Sequence, residues 1–136
     1  MTYLVKNKRG EEMTQPTTIK IDNVEYVRSD SVQNKEKAAK LKGMDYAIVR
    51  TYSAGVFAGY LQERDGKEVK LAQARRLWYW EGAASLSQLA MEGVKIPDSC
   101  KFPCVVDTII LTEAIEIIEC TEKARESIAG VKEWKE

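Results

Sequence analysis

The dipeptide Asp65-Gly66 constrains this chain more than any other feature. It stands between "GVFAGYLQ" and "VKLAQARRLWYW", two runs rich in apolar, aromatic and β-branched residues. Asp-Gly readily adopts the positive-φ backbone of a tight turn whose twist matches that of paired strands, so it predicts a β-hairpin. Upstream, "DYAIVRTY" is a third strand-like run, divided from the second by Ser53-Ala54. Three such runs in series predict an antiparallel meander. Gly55 and Gly59 lie in strand-like sequence, where glycine marks a bulge, a bend or a close backbone approach.

The flanks add helices and further strands. Asp22-Asn23 divides "TTIKI" from "VEYVR" and predicts a second, weaker hairpin. "SDSVQNKEKAAKLKG" predicts a short helix near residues 31–42, stopped by Gly43. In "SLSQLAMEG", Ser85 and Gln88 have the spacing of a capping box and Gly93 closes the end. "VKIPDSCKFPC" is a loop. "VVDTIILTEAIEIIEC" is read as strands for its β-branched residues, although "TEAIEII" also has a helical period. "TEKARESIAG" is a helix capped by Thr121, and Trp134 is expected to pack the tail back onto the domain or onto a neighbour. Residues 1–16, ending in Pro16, are read as a flexible arm, and residues 17–136 as a single β-rich globular domain. The expected fold class is α+β: a curved antiparallel sheet, or a small SH3- or Sm-like barrel, with two or three short helices.

Charge and residue usage narrow the function. Lys plus Arg and Asp plus Glu number 21 each. A balanced chain is a poor partner for duplex nucleic acid, which needs a basic field, and charge repulsion does not oppose its self-association. The chain has no histidine, which excludes Ser-His-Asp and Cys-His catalysis and histidine-ligated metals. Cys100 and Cys104 form C-x3-C with Cys120 as a third sulfur, one ligand short of a closed tetrahedral site. Free thiols and no metal are expected. Walker, GxGxxG, HExxH and EF-hand patterns are absent from the sequence. A non-enzymatic protein without a cofactor is therefore expected. The first residues lack the apolar stretch of a signal peptide, and no run approaches the ~18 apolar residues of a membrane span, so a cytoplasmic protein is expected.

The candidate site centres on "ARRLWYWEGAASLSQLAMEG", residues 74–93. On a continuing strand Arg76, Trp78 and Trp80 share one face, and Arg75, Leu77 and Tyr79 the other. An arginine beside two indoles offers stacking surfaces and a bidentate phosphate donor. Gly82 to Ser85 then leads into a helix start, whose free N–H groups favour an anion. Arg50 and Tyr52 add to the set from a neighbouring strand. Arg50, Tyr52, Arg75, Arg76, Trp78, Trp80 and Ser85 are thus the candidate ligand-binding residues for a nucleotide-like anion. Two plainer readings stay open. The aromatic residues equally suit packing or a subunit interface. Arg50 equally pairs with a glutamate, for example Glu113 or Glu116.

The runs "IVRTYSAGVFAGYL", "ARRLWYWEGAASLSQLA" and "IILTEAIEIIECTEKARESI", with Trp134 beyond, resemble a family of small bacteriophage-encoded proteins of unknown function. The resemblance spans Val24 to Trp134 and implies a phage origin but no particular activity. The role that the residues suit best is a non-enzymatic accessory protein. It would bind and sequester a nucleotide-like host immune signal, a cyclic nucleotide or an ADP-ribose-type molecule, as a homo-oligomer. The alternatives are a structural or assembly protein of the virion and a small nucleic-acid-binding barrel.

Overall fold

The computed structural model describes residues 36–136. The expected arm, the Asp22-Asn23 hairpin and residues 31–35 of the expected first helix lie outside the described residues. Residues 36–42 are not helical, which corrects that part of the expectation. They run alongside the start of the C-terminal helix, with Lys37 bridged to Thr121 and the Ala38 N–H donating to the Cys120 carbonyl at 3.0 Å. Tertiary pairing overrides the helix propensity of this Lys- and Ala-rich stretch. Gly43 does mark a turn, at φ +81° between Leu41 and Met44.

Five strands follow the expected runs: β1 (Tyr46–Thr51), β2 (Val56–Asp65), β3 (Glu68–Arg76), β4 (Val105–Leu111) and β5 (Ala114–Glu119). Two α-helices, α1 (Leu86–Glu92) and α2 (Glu122–Gly130), and a short 3-10 turn at Pro97–Ser99 complete the described elements. The strands form one antiparallel sheet in the order β4-β3-β2-β1-β5, so the fold is α+β and β-rich. "TEAIEII" is strand, not helix, because its isoleucines extend the sheet beside β1.

Sheet order and connectivity together impose curvature. β4 and β5 are opposite edges, yet only Thr112 and Glu113 separate them. Those residues let Leu111 and Ala114 stand at most about 11 Å apart, so the two edges converge at that corner. The hairpin tip reaches the same corner, where the Ala114 N–H donates to the Lys67 carbonyl at 3.0 Å. Register shifts between β2 and β3 provide the bend. At one of them Gln73 takes φ +50° opposite Gly59. A Cβ on Gly59 would stand 3.0 Å from Ala74 Cα, the close backbone approach that a strand glycine signals. β4 and β5 do not pair with each other, and the sheet stays open.

Strand alternation sorts the apolar residues onto two faces. Ile48, Ala58 and Leu77 face the helices and pack with Leu89, Phe102, Cys120 and Ile128. Val49, Phe57, Leu71 and Leu111 pack together on the other face, where the curvature of the sheet shields them. Both helix starts are capped as their sequences dictate. The Ser85 hydroxyl accepts from the Gln88 N–H at 3.1 Å, and the Thr121 hydroxyl accepts from the Ala124 N–H at 3.1 Å. The Gln88 side chain completes its box one residue early, on the Ala84 N–H at 2.8 Å.

An ion pair fixes the start of α2 and makes stability depend on pH. Glu122 accepts from Arg125 Nε at 3.1 Å and from the Ala39 N–H at 3.0 Å. Arg125 first, then the Ala39 N–H, hold the Glu122 carboxyl down at about 2, against an ordinary value of 4.5. A depressed folded value adds stability above the ordinary one, and that contribution is lost as pH falls from 4.5 through about 2. Glu122→Gln is expected to flatten this acid limb in urea midpoints measured against pH. An acid limb of unchanged steepness would show that other carboxylates carry it.

Candidate functional site

The geometry of residues 74–80 follows from where β3 stops. The strand ends at Arg76, and the Leu77 N–H closes it by donating to the Val56 carbonyl at 2.8 Å. Tyr79 then pairs with Lys101, their backbones exchanging hydrogen bonds of 3.3 and 2.7 Å. The expected alternation through Trp80 therefore fails. Arg76 crosses the ring of Phe57 at 4.4 Å on the face away from the helices, whereas Trp80 packs against the helix-side core. Arg76 and Trp80 do not share a face. Trp78, between them, is 63% exposed.

The candidate arginines each have protein partners. Arg75 is buried on the helix side. It donates to the carbonyls of Phe102, Pro103, Ile128 and Val131 at 3.2, 2.9, 2.7 and 2.6 Å. Two of those carbonyls belong to the end of α2, where the helix dipole favours a cation. Burial pulls the Arg75 pKa down from its ordinary value, yet guanidinium stays protonated. Arg76 donates to the Ala54 carbonyl at 2.6 Å. Arg50 pairs across strands with Glu116 at 2.8 Å, both groups partly exposed. Glu113 instead accepts from the Ser53 hydroxyl at 3.0 Å. Tyr52 is exposed, and Ser85 is spent on its own cap.

The structure adds two residues that sequence reasoning did not connect. Lys101 Nζ lies 5.9 Å from the centre of the Tyr79 ring and 5.6 Å from that of Trp134. The Tyr79–Lys101 pairing places the first ring. The Trp134 backbone N–H donates to the Phe102 carbonyl at 2.9 Å, which returns the tail and places the second. Tyr79 and Trp134 are 44% and 46% exposed. Among the described residues the Lys101 ammonium makes no ion pair with a carboxylate. The Tyr79 hydroxyl donates to Glu81 at 2.6 Å, and that bond raises the phenol's pKa. The arrangement is a solvent-facing cation between two aromatic rings, with Trp78 exposed one residue along.

A family model for a domain of unknown function (DUF6948) matches residues 44–128, more than half of the chain. The chain belongs to the DUF6948 family. The matched span takes in all five strands, α1 and Arg75, and it ends at Ile128, before Trp134. No curated protein and no solved structure matches the chain.

Elsewhere in this DUF6948 chain, Cys100 and Cys120 are buried and Cys104 is exposed, all three free. Burial pushes the Cys120 thiol up to about 12. Among the described residues no group of His, Cys, Asp or Glu is arranged to hold a metal ion. A shallow groove of about 280 Å³ lies between the β2–β3 hairpin and β4, lined by Glu63, Arg64, Asp65, Glu68, Lys70 and Ile110. It contains none of the candidate residues. No helix among the described residues is long and apolar enough to cross a membrane.

Proposed function

We propose that this chain is a non-enzymatic binding protein that holds a nucleotide-like anion on the face made by Tyr79, Lys101 and Trp134. The observation that carries this reading is the Lys101 ammonium, set between two half-exposed rings and unpaired with any described carboxylate. Rings of this kind stack on a base for about 1–3 kcal/mol each. An ammonium beside them meets phosphate through a charge-assisted hydrogen bond. Arg50, Arg75 and Arg76 are engaged within the protein, so the phosphate contact passes from the arginines to Lys101. The binder works without a cofactor. In this reading it is a phage-encoded accessory protein that sequesters a host immune nucleotide in the cytoplasm as a homo-oligomer.

Calorimetry of the full chain against cyclic dinucleotides and ADP-ribose derivatives tests the proposal. One compound is expected to bind and to be recovered unchanged by chromatography. Lys101→Ala and Trp134→Ala are each expected to weaken it about tenfold or more, a loss of ~1.4 kcal/mol. Arg76→Ala is expected to leave the affinity within about threefold, or ~0.7 kcal/mol. Absence of binding across the panel, or full affinity in Lys101→Ala, removes the proposal. A structural role in the virion is the second reading, favoured by the exposed apolar residues of β4.

A further inference from the structure

β4 is an edge strand without the usual guards. Among the described residues nothing pairs with its outer side. Its ladder with β3 runs in one register from Val69↔Leu111 to Arg75↔Val105, with no bulge to twist the edge away. The strand, "VVDTIIL", carries no lysine or proline and one charge, Asp107. Val105, Val106 and Ile110 are exposed along it. Natural sheets blunt such edges with charge, proline or a bulge, because a regular apolar edge templates another strand.

We infer that β4 pairs antiparallel with β4 of a second copy, about a two-fold axis through Thr108. This locates the contact of the homo-oligomer proposed above and does not depend on the ligand. The outward-facing N–H and C=O groups of an edge belong to alternate residues, so a symmetric antiparallel pairing must centre on a residue. Centred on Thr108, it sets Val106 of each copy opposite Ile110 of the other, and Thr108 opposite Thr108. β-branched pairs directly opposite are favourable, and like charges directly opposite are not. Asp107 falls opposite Ile109. Centring one residue earlier would place Asp107 on Asp107, and one residue later would leave Val105 and Val106 beyond the paired strand. The strand's own sequence therefore selects the register. A two-fold contact closes on itself and joins the two sheets into one.

The test uses the full chain. Light scattering during size exclusion at tens of micromolar is expected to report a dimer or a higher even-numbered assembly, the range in which ordinary subunit affinities populate it. Opposed Cβ atoms stand about 4.5–5.5 Å apart in such a pair, close enough for a disulfide after small adjustment. Thr108→Cys in a Cys104→Ser background is expected to cross-link under mild oxidation. Val106→Cys should cross-link when mixed with Ile110→Cys, and not alone. Thr108→Lys puts two ammonium groups on the axis and is expected to halve the mass with an unchanged circular dichroism spectrum. A native monomer, a Thr108→Cys chain that does not cross-link, or a Thr108→Lys chain of undiminished mass overturns the inference. These readouts are mass and cross-links, so failure here is distinct from failure of ligand capture in the calorimeter.

Discussion

Arg75→Ala is expected to lower the unfolding free energy by roughly 3–5 kcal/mol, because it strands several buried acceptors at once. The guanidinium ties two separate pieces of chain to β3, the stretch before β4 and the end of α2. Phe102 and Pro103 precede β4, Ile128 lies in α2, and Val131 follows α2. These four acceptors are backbone carbonyls, so no other side chain can be changed to compensate for the loss. Domains of about 100 residues are stable by about 5–15 kcal/mol, so this one truncation removes a large part of the total. Arg75→Lys should recover little. A lysine is a point charge on a flexible stem and cannot address four carbonyls spread around a planar fork. Arg76→Ala is the control. Its one carbonyl contact and its position over Phe57 are partly exposed, and a loss of about 0.5–1 kcal/mol is expected. Urea unfolding followed by circular dichroism measures all three. A loss under about 1 kcal/mol for Arg75→Ala would mean that the carbonyls find water or other donors.

Neighbouring arginines show where sequence reasoning stops. The pattern places Arg75 and Arg76 on opposite faces, and the structure does so. Nothing local says that the inward one meets carbonyls from residues 102–131, since those contacts cross 27 to 56 positions. Signals that act within a few residues were legible. Asp65-Gly66 marked the hairpin, although its loop is Gly66 and Lys67, with Asp65 paired to Glu68 and only Gly66 at positive φ. Ser85 and Thr121 marked their caps, and of the bulge, bend or close approach that Gly59 signals, the structure shows a close approach at a register shift. The end of β3 was not legible, because "RRLWYW" keeps high strand propensity past Arg76. Past Leu77 the chain leaves β2, and Tyr79 pairs instead with Lys101, a partner that no local signal names. The pairing of β5 with β1 was hidden for the same reason, since sequential strands usually pair with each other and β4 and β5 do not. In the candidate site, exposed Trp78 and Tyr79 came from a stretch that sequence singled out. Lys101 did not, because an isolated lysine carries no local signal, and Trp134 is legible only as a residue that packs the tail back, not as a ring beside Lys101.

Gly82→Ala is expected to cost roughly 2–5 kcal/mol, from two effects that act together. Gly82 has φ +91°, a conformation that side chains disfavour. An alanine Cβ there would also stand 2.4 Å from Lys95 N and 2.6 Å from Ile96 N. Those are backbone atoms, so no rotamer change relieves the clash. The Lys95 N–H already donates to the Gly82 carbonyl at 3.3 Å, which holds the two segments together. Relief therefore requires residues 81–85 to move away from residues 94–96. That motion pulls on Trp80 and Ala83, which pack against the helix-side core, and on Ser85, which caps α1. Gly66→Ala separates the two effects. Gly66 has φ +62° in the hairpin turn, and a Cβ there would meet nothing within 4 Å. It should therefore show the conformational cost alone, about 1–2 kcal/mol. The difference between the two urea midpoints measures the contact. If Gly82→Ala proves no worse than Gly66→Ala, the chain at residues 94–96 yields freely and the approach of the two loops is loose. If it is worse by more than about 1 kcal/mol, the glycine in "YWEGAAS" is there because a second strand of backbone passes directly over it.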